Sequence, residues 1–243
     1  MRTRLFPKSQ RGTANHGWLQ ANFSFSFGSY HNPEMVQFGM LRVLNDDTIA
    51  AGTGFGTHPH DNMEIITIPM EGGLTHRDSM GNEETVRFGE VQVMSAGTGI
   101  LHSEMNASQT EPAKTLQLWI FPELENVEPR YDQKGFNPEA NKNTLINVVS
   151  PHDKNNGGSL WIYQQAWLHL GVFDAGETIT YPIHLEGNGM YLFLLEGQLE
   201  INGQEVNARD AYGAVEFETI EIITKTPSRI LIICLLYTSD AAD

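Results

Sequence analysis

The sequence predicts an all-β protein made of two barrel-sized units, and three observations carry that prediction. Short β-branched and aromatic runs are separated by turn residues every eight to twelve positions. Glycine is frequent and aromatic residues are spread along the whole chain. The second half repeats the landmarks of the first: Glu71-Gly72 with Leu74 matches Glu196-Gly197 with Leu199, and Gly81-Asn82-Glu83 matches Asn202-Gly203-Gln204. A chain of 243 residues is long enough for one large β domain or two ordinary ones, each with a full core.

Taken in order, the Phe/Ser alternation of Phe23 to Phe27 has period two and reads as a half-buried strand. Val36 to Leu44 is read as the next strand, ended by an Asn45-Asp46-Asp47 turn. Gly52, Gly54 and Gly56 then let the backbone turn sharply or pass close to its neighbours. A β-branched run from Glu64 ends at Gly72-Gly73. Leu74 to Asp78 and Thr85 to Phe88 form a hairpin about Ser79-Met80-Gly81-Asn82. Strands follow at Val91–Met94 and Leu116–Phe121, and residues 122–144 turn polar and Pro-rich, as an interdomain connection does. Domains are therefore expected at 1–130 and 145–235, the second ending on a strand at Arg229–Ile233. Residues 236–243 lack any pattern and are expected to be a non-native or disordered tail.

The net charge of −15 argues against nucleic-acid backbones and anionic membranes as direct partners. The single cysteine, Cys234, excludes an internal disulfide and cysteine-based zinc sites, and permits a reducing compartment. No apolar segment follows the charged N-terminus and none has the length of a membrane span, so a cytoplasmic location is expected.

The chemistry concentrates in two short stretches. On a strand, residues two apart leave the same face, so His58 and His60 point one way, and so do His102 and Glu104. Brought together on adjacent strands, they supply three imidazoles and a carboxylate to one divalent ion, a set that suits iron, manganese, nickel or copper. Glu64 shares the parity of His58 and His60, so periodicity alone leaves it open as the carboxylate ligand. Superposed on the first half, the second places Pro182 near His58 and His184 near His60, and no histidine follows Asp210. The second unit is therefore expected to lack a metal site.

Blander readings are taken elsewhere. His76, Arg77 and Asp78 flank the hairpin turn and are expected to be solvated, while His169 and His184 read as core or rim histidines. Trp18, Phe23, Trp161 and Trp167 are assigned to core packing rather than to a ligand pocket. No lysine or helix pattern follows Gly97 and Gly99, so they form no phosphate loop.

Gly52 through His58, His60 and Glu64 follows the cupin pattern Gly-x5-His-x-His-x3-Glu, and Gly89 through Gly97, His102 and Asn106 is similar to the second cupin motif. The forms Gly56-Thr57-His58-Pro59-His60 and Gly97-Thr98-Gly99-Ile100-Leu101-His102-Ser103-Glu104 resemble the pirin family, including its bacterial quercetinase-like members. The resemblance runs from about Ala14 to Leu231. It implies a bicupin, two cupin β-barrels (double-stranded β-helices) packed face to face, with the N-terminal one binding metal through His58, His60, His102 and Glu104. Glu104 is thereby preferred to Glu64. The ion implied is Fe(II), with Mn, Ni, Cu, Co or Zn as alternatives. The activity implied is O2-dependent cleavage of a flavonol such as quercetin with release of CO, Glu104 doubling as the catalytic base, in a chain complete as a monomer. The second reading is an iron- or redox-dependent regulator that binds transcription or metabolic proteins.

Overall fold

Residues 1–237 are described by the structure, a computed structural model. The chain divides into two compact units, Arg11–Phe136 with Leu160–Gln164, and Met1–Gln10 with Asn137–Ser159 and Gln165 onward. The expected contiguous domains are thus crossed at the N-terminus, because strand Arg2–Phe6 pairs antiparallel with Ala211–Val215 and belongs to the second unit.

The first unit holds a seven-stranded sheet, in the order Arg130–Gly135, Glu90–Ser95, Glu64–Glu71, Ala113–Ile120, Leu41–Ile49, Leu19–Phe23 and Gly12–Asn15. It also holds a four-stranded sheet, Gly54–His60, Ile100–Asn106, Gly73–Asp78 and Glu83–Arg87. Inward-facing aliphatic and aromatic residues form its core, among them Leu19, Phe23, Ile49, Leu74 and Val86, with a second cluster of Ile65, Met94, Ala96 and Ile100. The hairpin about Ser79–Asn82 is present, with Asp78 accepting from the Met80 and Asn82 amides at its base.

Within the second unit the strands Arg2–Phe6, Ala211–Val215, Asn188–Glu196, Ser228–Leu236, Trp167–Phe173 and Thr144–Pro151 run in that order. Its four-stranded sheet is Thr178–Pro182, Thr219–Thr224, Gln198–Ile201 and Gln204–Asn207. Leu192, Ile222, Ile230 and Ile232 lie in its buried core. The repeat seen in the sequence is therefore a repeat of one two-sheet architecture. Carried through the matched Leu74 and Leu199 and their partners Asn106 and Thr224, His58 opposite His102 answers to Tyr181 opposite Ile220, one residue before the expected correspondence, and His184 lies beyond the strand end.

Four local expectations change. The stretch Ser24–Phe27 is irregular rather than a strand, with Phe25 buried and Ser26 bonded through its backbone to Met35. Asn45, Asp46 and Asp47 are no turn: they sit inside strand Leu41–Ile49. The polar connection contains strand Arg130–Gly135, which joins the first unit's large sheet against Glu90–Ser95. Leu236 completes the last strand and Tyr237 donates its amide to the Gly187 carbonyl, so these two residues of the expected tail belong to the fold; its remainder, 238–243, lies outside the described residues. Among the described residues no helix is long and apolar enough to cross a membrane.

Candidate metal centre

Strands Gly54–His60 and Ile100–Asn106 pair antiparallel, with His58 opposite His102 and His60 opposite Ile100. The close approach of these strands needs a residue without a side chain at position 54. A Cβ there would press on the Glu104 carbonyl and lie 2.6 Å from the Met105 Cα. The register then brings three imidazoles together: ring centroids are 4.4 Å apart for His58 and His102, and 4.9 Å for His60 with either of the others. One nitrogen from each lies within 4.8 Å of the others, the spacing of ligands around a shared ion.

Tautomer and burial prepare these rings for metal. His58 Nδ1 lies 2.7 Å from the Gly56 carbonyl, to which only a protonated nitrogen can donate, leaving Nε2 its lone pair. His102 is buried and its Nε2 has no hydrogen-bond partner. An orphaned buried nitrogen costs stability unless something binds it. Burial first, and the neighbouring His58 second, lower the His60 pKa to about 4; burial, then His58, His60 and His76, lower that of His102 to about 3. These two rings are neutral at physiological pH, the form a metal requires. The donor set fits a divalent ion.

Glu104 is fully buried one bulge beyond His102. Its carboxylate accepts from Gln117 Nε2 at 2.6 Å and Thr67 Oγ1 at 3.2 Å, and burial above all raises its pKa. Its ligand-distance group comprises His76 and His102 rather than His58 and His60. Beneath it, Asn45, Gln117, Thr67 and Gln92 stand opposite one another across four strands, a polar row inside an otherwise apolar sheet. Glu64 is placed elsewhere. The chain changes sheets between His60 and Glu64, through Asn62 at φ 41°, so strand parity does not carry across. Ser95 Oγ donates to Glu64 at 2.7 Å, and burial pushes its carboxyl up to about 7.

His76 and Asp78 overturn the solvated reading. Both side chains are fully buried, whereas Arg77 between them is exposed and paired with Glu83. Across the strand pair, His76 faces Glu104 and Asp78 faces His102. Asp78 Oδ2 lies 2.9 Å from His76 Nε2, and His76 Nδ1 lies 3.4 Å from His102 Nδ1. The ring also stacks on Tyr131 at 4.5 Å. Burial would raise the Asp78 pKa, but hydrogen bonds from Asn82 and His76 outweigh it and lower it. A carboxylate thus anchors a histidine that in turn fixes a buried member of the cluster, the outer layer that metal-binding imidazoles use.

The model of the Pirin family matches residues 6–120, and that of the quercetinase C-terminal cupin domain matches 147–235. Quercetin 2,3-dioxygenase of Escherichia coli K12 is 41% identical over 92% of this chain and 94% of its own. This chain belongs to the pirin family. A putative quercetin 2,3-dioxygenase of Pseudomonas aeruginosa is 40% identical over 93% of this chain and 97% of its own. Among solved structures, YhhW from Escherichia coli superposes with a TM-score of 0.92 at 39% identity, covering 98% of this chain and 99% of that one. The same bacterial pirin in complex with nickel(II) gives 0.91 at 38% identity, covering 98% and 100%. The fold is all-β with two cupin domains, and the histidine cluster of this pirin-family chain is a group that could hold a divalent metal.

Beside the centre, Trp18, Phe23, Phe27 and Phe55 wall a cavity of about 390 Å³, so Trp18 and Phe23 line a pocket as well as packing the core. Of the other residues assigned to core packing, Trp161 lies under the Arg130 guanidinium at 3.6 Å and Trp167 stacks on His184 at 4.6 Å. His169 is buried, with its Nδ1 3.3 Å from the Tyr181 hydroxyl, a satisfied core histidine as expected. The sequence reading missed His76, Asp78, Thr67 and Gln117. The one signal for the first two was their period-two spacing on the strand leading into the turn.

Proposed function

We propose that this chain is a metal-dependent dioxygenase that cleaves a flavonol such as quercetin with O2 and releases CO. The observation that carries the reading is the three-histidine cluster with its unpartnered His102 Nε2, in a chain 41% identical to a quercetin 2,3-dioxygenase. His58, His60 and His102 would hold the ion, with Glu104 as the fourth ligand and Fe(II) as the working metal. Bound there, the metal supplies a Lewis acid for the flavonol oxygens and a redox partner for O2.

The protein's own part is proton transfer and positioning. Glu104, raised in pKa by burial, takes the proton of the flavonol 3-hydroxyl, while Gln117 and Thr67 hold its carboxylate in place. Both atoms of O2 end in the depside, and carbon 3 leaves as CO with its own oxygen, so the reaction balances without an added reductant. The regulatory reading has no observation of similar weight behind it.

The test is Fe(II)-loaded protein with quercetin under air. CO and depside in equal amounts are expected, with both lost in His102→Ala; quercetin recovered intact with the wild-type protein would sink the proposal.

A further inference from the structure

Gln117 and Trp119 lie two apart on strand Ala113–Ile120 and share the face that looks toward the histidine cluster. The Trp119 indole meets the His60 ring edge to face at 4.8 Å, and its Nε1 donates to Gln117 Oε1 at 3.2 Å. Gln117 Nε2 in turn donates to Glu104 Oε2 at 2.6 Å, while Thr67 Oγ1 covers the other carboxylate oxygen at 3.2 Å. A tryptophan that touches one histidine of the cluster thus also stands behind the carboxylate, one amide away.

The polarity of this relay is set at its far end. An indole N–H can only donate, whereas a glutamine amide has a donor at one end and an acceptor at the other. With Trp119 in place, Gln117 turns its oxygen to the indole and therefore its NH2 to Glu104. Turned over, the amide would set N–H against N–H on one side and carbonyl oxygen against carboxylate on the other. The flip would lose two hydrogen bonds, one of them to a charged group.

The second unit supplies a control within the same chain. Glu71-Gly72 matches Glu196-Gly197, so Thr67 answers to Leu192. Gln117 stands opposite Thr67 and Ile232 opposite Leu192; two residues on, Trp119 answers to Cys234. Both Ile232 and Cys234 are buried, and isoleucine has no polar atom to pass a hydrogen bond on. The unit without the histidine cluster lacks the relay as well.

We propose that Trp119 is a positioning residue for Glu104, acting through Gln117, which it locks in the one amide orientation that gives the carboxylate a donor. The inference rests on the reading of Glu104 as metal ligand and base, and adds the residue that aims it.

The test is a double-mutant cycle on nickel(II) affinity: wild type, Trp119→Phe, Gln117→Leu and the double variant are each titrated against a chelator. Phenylalanine keeps an aromatic ring beside His60 and removes the donor. Trp119→Phe is expected to weaken binding about fivefold to tenfold, less than the ~10–100-fold of losing an outer partner outright. Once Gln117 is leucine, the same change should alter affinity by less than about twofold, because the two residues act as one unit. An equal loss in both backgrounds would mean that the indole acts on His60 directly, and no loss in either that the amide needs no lock; both overturn the proposal. Turnover separates the relay from the dioxygenase reading. If quercetin is cleaved, Trp119→Phe should lower kcat and leave KM within about twofold, and a change confined to KM overturns the proposal. If the wild type cleaves none, the dioxygenase reading fails and the nickel(II) cycle still decides the relay. Should the wild type bind no nickel(II), the indole N–H resonance of Trp119 decides in the metal-free protein, assigned by its absence in Trp119→Phe. Glu104→Ala frees the amide and is expected to shift or broaden that resonance; a signal unmoved from wild type overturns the proposal.

Discussion

Replacing His76 by phenylalanine tests whether the buried Asp78–His76 pair holds His102 in place. The aromatic ring and its stack on Tyr131 are kept, while the 2.9 Å bond to Asp78 and the 3.4 Å contact with His102 are lost. Asp78 retains the Asn82 side-chain amide at 2.8 Å and two backbone donors at 2.9 and 3.1 Å, so it is not left bare. The stability loss should therefore stay near one hydrogen bond to a charged group, ~1.5–3 kcal/mol. Metal affinity is expected to fall ~10–100-fold, the usual effect of removing an outer partner of a metal-binding histidine. Competition titration of nickel(II) against a chelator measures this, with urea unfolding alongside. Affinity within twofold of wild type would refute the positioning role. A fall beyond roughly a thousandfold, far above the outer-partner range, would make His76 a ligand in its own right, as its spacing to His102 and Glu104 allows.

Three further outcomes are expected. Gly54→Ala forces the strand of His58 and His60 away from Met105 and the Glu104 carbonyl. It should cost ~1–3 kcal/mol in urea unfolding and weaken metal binding together with it; full retention of both would show that the close approach is dispensable. For Glu64, burial raises the folded pKa from 4.5 to about 7. Its contribution is thus complete below the unfolded value and is lost as pH rises through the folded one. Wild-type stability relative to Glu64→Gln should fall by up to ~1.4 kcal/mol per pH unit between about pH 5 and 7, and parallel pH profiles would contradict that. In the second unit, Leu192→Ala empties a fully buried core position and should destabilise by ~2–5 kcal/mol; a loss under about 1 kcal/mol would mean that the core collapses around it.

Much of the fold was legible because strand alternation, turn chemistry and the repeat all point the same way. The candidate site was legible where its residues share one strand: His58 and His60 come together with His102 as the period-two spacing implies, while Glu104 groups with His102 and His76. Reading failed where a chain segment changed sheets, as between His60 and Glu64, because parity has meaning only within one strand. It failed again where polar residues were buried on purpose. Asn45 to Asp47 looked like a turn and His76 to Asp78 like a solvated edge, since composition normally signals exposure. Strand Arg2–Phe6 was misassigned because its partner, Ala211–Val215, lies at the far end of the chain, beyond the reach of local pattern.

The central claim is that His58, His60 and His102 form one metal centre. Elemental analysis of protein purified without added metal, for wild type and for His102→Ala, tests it most directly. The account predicts close to one equivalent of a divalent metal in the wild type and almost none in the variant, with folded β signature retained in both. Equal metal content in the two proteins would contradict it.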